Sequence, residues 1–277
     1  MDATRQTDPL DARLIRESMA PETQARLREL TLLREADSTN TVLLHLPADT
    51  QHAHAVLAEC QTAGRGRRQK SWHSPAGGNV YLSLGWRFRK TGWPLSTLPL
   101  VVAVAVCRAL GRAGLEGHGI KWPNDILVNG KKLAGILVEL SSPGAGPAQA
   151  VIGVGLNVRM PQASQGALSD VIERPWTDLA SEMKMSVPPS SRNRLAALLL
   201  EELLAALEKY QLDGFPAFSS AWQKRDLMQG RTIILEHNGV QISGEAQGVD
   251  ASGGLLLKTA SSGIRVFHSG EVSVHHD

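Results

Sequence analysis

A glycine-rich segment of the chain carries an unusual concentration of positive charge. The run QTAGRGRRQKSW spans Gln61 to Trp72 and contains four cations: Arg65, Arg67, Arg68 and Lys70. Two like charges about 4 Å apart repel by roughly 4 kcal/mol at an effective dielectric near 20, and a bound triphosphate relieves that repulsion. Arginine also forks onto phosphate or carboxylate oxygens, and the indole of Trp72 offers a face for stacking a base. From this segment alone, a flexible basic surface loop is the alternative.

A second motif, KWPND, precedes a lysine pair and an apolar strand. It covers Lys121 to Asp125, and Lys132 then begins the run KLAGILVEL. Asn124 can read an adenine edge, while Asp125 can orient a cation or a lysine. A lysine here lies at the mouth of a buried sheet, and Gly135 leaves room for a ligand against the backbone. The alternative is a Trp-Pro turn followed by two exposed lysines.

Two glycines, Gly153 and Gly155, interrupt an apolar strand pattern in the run GVGLN. Glycine weakens a strand interior, so this pair indicates that another group packs against bare backbone. The run is not a dinucleotide-binding fingerprint, because no third glycine opens a helix at the required position. A β-bulge is the alternative interpretation.

A fourth motif, DSTN, places hydroxyl and amide groups where a strand gives way to a helix. It runs from Asp37 to Asn40. These side chains can bind a polar ligand. They can also form a helix N-cap, which is the commoner use of such residues.

The spacing of apolar residues predicts the elements that must position these motifs. One or two short helices fit the first thirty residues, and strands then alternate with helices from residue 31 onward. We expect a half-buried strand at 80–88, a buried helix at 94–114 and an amphipathic helix at 191–211. Asn129-Gly130 predicts a two-residue hairpin turn.

The last part of the sequence has a different character from the rest. Beyond Arg231, five short apolar runs at close spacing predict strands and a small barrel. The sequence therefore predicts three parts, namely a helical extension at 1–30, an α/β domain at 31–226 and a barrel at 227–277.

Composition excludes several classes of protein. A formal net charge of +2 is small for 277 residues and argues against a dedicated nucleic-acid binder. Only two cysteines occur, Cys60 and Cys107, without a CxxC spacing, so a zinc site or disulfide framework is not expected. The N-terminus lacks a signal-peptide core, and the apolar stretch 98–110 is shorter than a bilayer span. We expect a cytoplasmic protein without membrane contact.

Taken in order, these motifs resemble the biotin–protein ligase family. The similarity runs from about Asp37 to Asn157, through DSTN, QTAGRGRRQKSW, GGNVYLSL, KWPNDILVNGKKLAGILVEL and VIGVGLNV. The run WQKRDLMQG and the GEVSV ending look like that family's C-terminal domain. The resemblance implies an α/β (α+β) fold, with a mixed-sheet, class II synthetase-like catalytic domain and an SH3-like barrel.

The resemblance also implies roles for individual residues. It assigns biotin's ureido ring and carboxylate to Ser38, Thr39, Gln61, Gly64 and Arg65. It assigns the loop that closes over the adenylate to Arg67, Arg68 and Trp72, and contacts with the nucleotide to Asn124 and Asn157. The biotin slot is assigned to Gly135, Gly153 and Gly155, and Lys132 is the essential lysine beside the reacting carboxylate and α-phosphate.

The reaction implied by the resemblance has two steps. Biotin and ATP form biotinyl-5′-AMP, and the biotinyl group then passes to a lysine of a biotin carboxyl carrier domain, as in acetyl-CoA carboxylase. We expect Arg65 and Lys132 to bring the carboxylate and phosphate together, with Mg²⁺ carried by ATP and no metal held by protein ligands. A homodimer is one option for the assembly.

Two departures from the family pattern limit the resemblance. The segment before residue 31 is too short for a winged helix, so transcriptional repression is not expected. His275 stands where some relatives have an arginine, which leaves open a barrel contribution to ATP binding. A lipoate–protein ligase or octanoyltransferase is the nearest rival, and lipoate-dependent activation would identify it. A DNA-binding regulator is the second rival, and it predicts strongly salt-dependent DNA binding.

Overall fold

The computed structural model describes residues 9–88, 92–141, 147–160, 175–183, 191–260 and 262–274. Its helices are α1 (Ala12–Glu17), α2 (Pro21–Arg26), α3 (Thr39–His45), α4 (Leu98–Arg112), α5 (Leu179–Glu182), α6 (Ser191–Asp213) and α7 (Pro216–Gln223). Its strands are β1 (Glu29–Ala36), β2 (His54–Gln61), β3 (Val80–Arg87), β4 (His118–Lys121), β5 (Asp125–Val128), β6 (Lys131–Ser141), β7 (Gln149–Leu156), β8 (Thr232–His237), β9 (Val240–Val249), β10 (Leu255–Thr259), β11 (Gly263–Phe267) and β12 (Glu271–Val274).

A mixed seven-stranded sheet forms the larger part of the molecule. Its strand order is β1-β2-β3-β7-β6-β5-β4. Strands β1 and β2 run parallel, while the other neighbouring pairs are antiparallel. The predicted mixed sheet is therefore confirmed, and the expected strand at 80–88 corresponds to β3.

Helices α4 and α6 cover one face of this sheet and form the core with it. Eleven of the fifteen residues of α4 are buried, because the helix is apolar on nearly every side. With its 3₁₀ lead-in it extends from Leu95 to Arg112, longer than the apolar stretch at 98–110. That length and composition alone would allow a membrane crossing, but 67% of this window is buried inside the protein. The central helix of a globular core has the same character, so this helix is weak evidence for a membrane span.

The N-terminal segment packs against α6. The amide of Asp11 donates to Asn193 Oδ1 at 2.8 Å, which ties the start of α1 to this helix. Arg192 at the start of α6 pairs with Glu59 of β2 at 2.8 Å, and Glu59 also accepts the amide of Leu10 at 2.7 Å. Of the one or two short helices predicted, two are present as α1 and α2, and β1 begins at Glu29, slightly before the expected boundary.

The C-terminal strands form a second, antiparallel sheet. Its order is β11-β10-β9-β8-β12, so the five predicted strands are confirmed. Strands β11 and β12 are its edges, and in the described part of this region they do not pair to close a barrel. The connector to this sheet pairs with β4, since Ile120 N donates to Arg225 O at 2.7 Å and Leu227 N to Ile120 O at 3.0 Å. His275 lies outside the described residues.

The turn between β5 and β6 follows from its sequence. Asn129 and Gly130 adopt φ values of 49° and 75°. Two successive left-handed residues define the hairpin turn that Asn-Gly favours, so the predicted hairpin is confirmed. This turn brings Lys132 beside the KWPND segment at the end of the sheet.

Candidate functional site

A cavity of about 600 Å³ lies where the seven-stranded sheet meets the basic loop and strand β12. All the site residues predicted from the sequence line it: Ser38, Thr39, Gln61, Gly64, Arg65, Arg67, Arg68, Trp72, Asn124, Lys132, Gly135, Gly153, Gly155 and Asn157. Arg65 and Lys132 therefore share one cleft, as the predicted chemistry requires. The C-terminal sheet contributes Gly270, Glu271 and Val272 to the same wall.

One end of the cleft is a buried network of neutral polar groups. Thr39 N donates to Gln61 Oε1 at 2.9 Å, and Gln61 Nε2 donates to Ser74 Oγ at 2.8 Å. Ser83 Oγ donates to Thr39 Oγ1 at 2.7 Å. Ser74 and Ser83 were not among the predicted site residues, because nothing in their local sequence marks them. The network fixes the orientation of Gln61 before any ligand arrives.

Ser38 occupies the N-cap position of α3 but does not cap it. Its backbone is extended, and within the described residues its side chain makes no capping hydrogen bond. The side chain is 4% exposed and lines the cleft. The N-cap interpretation of DSTN therefore describes the position of Ser38 and leaves its hydroxyl for another role.

The glycines form a flat strip across two neighbouring strands. Gly135 of β6 lies directly opposite Gly155 of β7, and the register there is regular. The β-bulge interpretation is therefore wrong at Gly153 and Gly155. A Cβ atom on Gly155 would come within 2.5 Å of the Trp72 indole, and one on Gly153 would collide with Asn40. The prediction that another group packs against bare backbone is confirmed.

A three-residue charge cluster lies beside this strip. The carboxylate of Asp125 is 2.7 Å from Lys132 Nζ through Oδ1 and 3.4 Å from Lys121 Nζ through Oδ2. Burial alone would raise the pKa of Asp125, but Lys132 and Lys121 outweigh it and hold that pKa below its usual value. Lys131 is exposed, whereas Lys132 turns into the cleft. The alternative of two exposed lysines is therefore wrong for Lys132.

The basic loop, residues 64–72, folds back on itself as a small flap. Trp72 N donates to Gly64 O at 2.8 Å, and Gly66 N donates to Lys70 O at 2.6 Å. Arg68 in the bend has a φ of 55°, in the left-handed region that non-glycine residues seldom adopt. The flap is thus a hairpin that lines the cleft, and whether it is flexible without a ligand stays a prediction.

The cations of the flap contact partners on both sheets. Arg65 pairs with Glu139 of β6 at 2.7 Å, while Lys70 pairs with Glu271 of β12 at 2.9 Å. Arg68 lies 4.0 Å from Glu236 of β8. Sequence reasoning missed these three glutamates, because each lies far along the chain from the flap and carries no local signal.

Arg67 and the two asparagines complete the opposite side of the cleft. Asn124 accepts from Arg67 Nη1 at 3.3 Å and donates to Ile136 O at 2.8 Å. Asn157 Nδ2 donates to Thr177 O at 3.0 Å. Burial, reinforced by the neighbouring Arg68, lowers the pKa of the Arg67 guanidinium. A partly desolvated cation of this kind favours an anionic ligand.

No metal site emerges from the part of the chain that the structure describes. Within those residues, no three His, Cys, Asp or Glu side chains come together as metal ligands would.

The fold and cleft place the chain among the ligases that attach biotin or lipoate to proteins. Residues 32–157 match the model of the Biotin/lipoate A/B protein ligase family, and residues 230–274 match that of the Biotin protein ligase C terminal domain. A solved structure, biotin protein ligase from Aquifex aeolicus in complex with biotin and ATP, superposes with a TM-score of 0.74. It is 28% identical, and the match covers 90% of this chain and all of that one.

Relatives with assigned names narrow the class. The bifunctional ligase/repressor BirA of Escherichia coli is 36% identical over 88% of this chain and 74% of its own length. The biotin–[acetyl-CoA-carboxylase] ligase of Paracoccus denitrificans is 35% identical over 87% of this chain and 98% of its own. That of Mycobacterium tuberculosis is 32% identical over 98% of each. The chain belongs to the biotin protein ligase family.

Proposed function

We propose that this chain joins biotin to ATP as biotinyl-5′-AMP and then transfers the biotinyl group to a lysine of a biotin carboxyl carrier domain. The observation that carries the proposal is the shared cleft, in which Arg65 and Lys132 flank the glycine strip. The flat glycine slot suits biotin's ring and carbon chain, the neutral polar end suits its ureido group, and the cationic wall suits its carboxylate together with the triphosphate.

The neutral polar end supports the binding of biotin's ureido ring. A ureido group offers one carbonyl acceptor and two N–H donors. Ser38, Thr39 and Gln61 provide hydroxyl and amide partners there, and the hydrogen bond of Gln61 with Ser74 fixes its orientation. The backbone of Gly135 and Gly155, which the Trp72 indole covers in this structure, would let the ring and its chain lie against it once that indole moves aside. Gly153 would contribute by leaving room for Asn40 at the edge of the slot.

The cationic wall supports the first chemical step. Biotin's carboxylate attacks the α-phosphorus of ATP and pyrophosphate leaves, so two anions must be brought into contact. Lys132 and Arg65 would align and neutralise them, and Arg67, Arg68 and Trp72 would close over the nucleotide. Asn124 and Asn157 would contact the adenosine part. Mg²⁺ would enter on the polyphosphate, since the chemistry of ATP requires the cation there.

The second step needs a dry intermediate and a neutral amine. A mixed anhydride hydrolyses in water, so the flap would cover it until the carrier arrives. The carrier lysine then attacks the acyl carbon, and AMP leaves. Because a protonated amine is not a nucleophile, the transfer rate should rise with pH around and above neutrality.

The cellular location and the fold classes of the two sheets are also part of the proposal. The free thiols Cys60 and Cys107 support a reducing, cytoplasmic location. We propose that the larger sheet is class II synthetase-like and that the C-terminal sheet belongs to the SH3-like class. The match of residues 230–274 supports the second assignment. The predicted domain boundaries, the homodimer and the absence of a repressor role remain predictions.

The direct test is biotin-dependent exchange of labelled pyrophosphate into ATP. The purified chain should catalyse exchange with biotin and Mg²⁺, and lipoate or octanoate should not replace biotin. Exchange that depends on lipoate instead would identify the rival ligase. Tight, salt-sensitive retention of a DNA duplex, without any exchange, would favour the regulator.

A further inference from the structure

Glu139 holds a position between the flap and the buried end of the cleft. It lies on β6, four residues after Gly135, and its side chain is 26% exposed. One carboxylate oxygen, Oε2, accepts from Arg65 Nη2 at 2.7 Å and from Asn40 Nδ2 at 2.8 Å. A single oxygen atom thus joins the flap to the start of α3.

The two partners of Glu139 differ in how firmly they are held. Asn40 is 3% exposed, and its Oδ1 contacts Ser83 Oγ. Its side chain fills the space beside Gly153 that a Cβ atom there would occupy. The side chain of Arg65 is 40% exposed and sits on the flap. Asn40 therefore fixes the carboxylate from the buried side, and Arg65 is the partner that can leave.

We propose that Glu139 is a positioning residue that holds Arg65 across the cleft until a carboxylate or phosphate of the substrates replaces it. Arg65 keeps an anionic partner throughout, because it leaves the Glu139 carboxylate only to pair with an anion of the substrate. The pair with Glu139 presets the flap in the empty enzyme. Glu139 and the substrate anion therefore compete for Arg65, which weakens binding of the substrate. Partly exposed ion pairs of this kind change a binding equilibrium by roughly two- to fivefold.

The test uses Glu139→Gln, which removes the charge and keeps an oxygen that can accept from Asn40. The matched control is Glu236→Gln, since Glu236 also faces the flap but lies near Arg68, at 4.0 Å. We expect trypsin to cut the ligand-free flap of Glu139→Gln several-fold faster than that of the unaltered chain. In pyrophosphate exchange, the KM for biotin should fall about two- to fivefold with kcat within about twofold. Glu236→Gln should leave this KM unchanged.

Three outcomes would overturn the proposal. Equal trypsin rates and equal KM values would mean that the pair does not restrain Arg65. A higher KM in Glu139→Gln would mean that Glu139 stays with Arg65 in the loaded site. A loss of thermal stability with parallel loss of kcat would indicate a purely structural role.

The identity of the competing anion rests on the proposed function, whereas the contact in the empty cleft does not. If the unaltered chain lacked biotin-dependent exchange, the proposed function would fail. The trypsin comparison of ligand-free proteins would still test whether Glu139 restrains the flap.

Discussion

Two carboxylates on either side of β4, one buried and one partly buried, differ in how their charge is compensated. Asp125 lies across the hairpin from Lys121 and contacts both Lys121 and Lys132. Asp226 lies in the connector, where its backbone bridges to Ile120 of the same strand. Its Oδ1 accepts the amide of Met228 at 2.9 Å, while its buried Oδ2 accepts no hydrogen bond from the residues that the structure describes.

The pKa values of the two groups move in opposite directions. Burial raises the pKa of Asp226 to about 6, and the backbone N–H groups of Met228 and Gln229 only partly oppose this rise. The two lysines hold the pKa of Asp125 low despite deeper burial. Burial alone therefore disfavours a carboxylate in this protein, and cations keep Asp125 ionised at the cleft. The difference locates the region that is built for charge chemistry.

Removing a cation from the cleft should have the largest effect. We expect Lys132→Ala to lower the rate of biotin-dependent pyrophosphate exchange by about 10²–10³-fold, because it deletes a charge that faces the reacting anions. Its circular dichroism spectrum should be unchanged. The exposed neighbour provides a matched control, and Lys131→Ala should retain full activity. A fully active Lys132→Ala variant would contradict the view that the cleft, unlike the connector around Asp226, is arranged for charge chemistry.

Removing the anion between the lysines should have a smaller effect. Asp125→Asn leaves Lys132 in place but takes away the carboxylate that orients it. We expect exchange to slow by about 10–10²-fold, since small misplacements of a catalytic group cost that much. Asp226→Asn, assayed beside it, should keep nearly normal activity. Equal losses in both variants would show that the cleft carboxylate has no special function.

The third comparison concerns stability and its dependence on pH, with activity nearly unchanged. Folding raises the pKa of Asp226 from 3.8 to about 6. Its contribution to the free energy of unfolding is therefore complete below about pH 4 and is lost as pH rises through 6. Asp226→Asn should therefore gain about 2–3 kcal/mol relative to the unaltered chain between pH 4.5 and pH 8. Urea unfolding at the two pH values measures this. A constant difference would refute the raised pKa.

The contribution of Asp125 to stability depends on pH in the opposite direction. Its folded pKa lies below 3.8, so its contribution to stability is complete at neutral pH and is lost only as pH falls through about 4 and lower. Asp125→Asn should therefore remove stability at pH 7, and its difference from the unaltered chain should shrink in acid. The same urea measurements, extended to pH 3, give this comparison.

Local chemistry was sufficient to predict many elements of the fold. The Asn129-Gly130 turn, the strand at 80–88 and the buried helix after Pro94 each follow from a short pattern, and each is present. Whether the C-terminal strands close into a barrel could not be predicted from local patterns. It depends on whether two edge strands far apart in sequence meet, which no local pattern encodes.

Residues of the cleft could likewise be predicted only where their own type and local spacing mark them. Glycines and clustered arginines mark themselves by type and spacing, and all of those named line the cavity. Their partners did not, because Glu139, Glu271 and Lys121 act through contacts made only after folding. Lys121 shows this well: it is 8% exposed and donates to Val272 O at 3.2 Å, on the other sheet.

The position of Trp72 gives the cleft an optical reporter of its own. Its indole lies against Gly135 and Gly155, and its ring centroid is 5.2 Å from the ammonium of Lys132. Among the described parts of the chain, its buried Nε1 has no hydrogen-bond acceptor. Indole fluorescence responds to nearby charge and polarity, so a molecule entering the slot should alter the emission of this residue. The difference in titrations of the unaltered chain and Trp72→Phe would isolate its signal from the other five tryptophans. Occupancy could then be followed without any label.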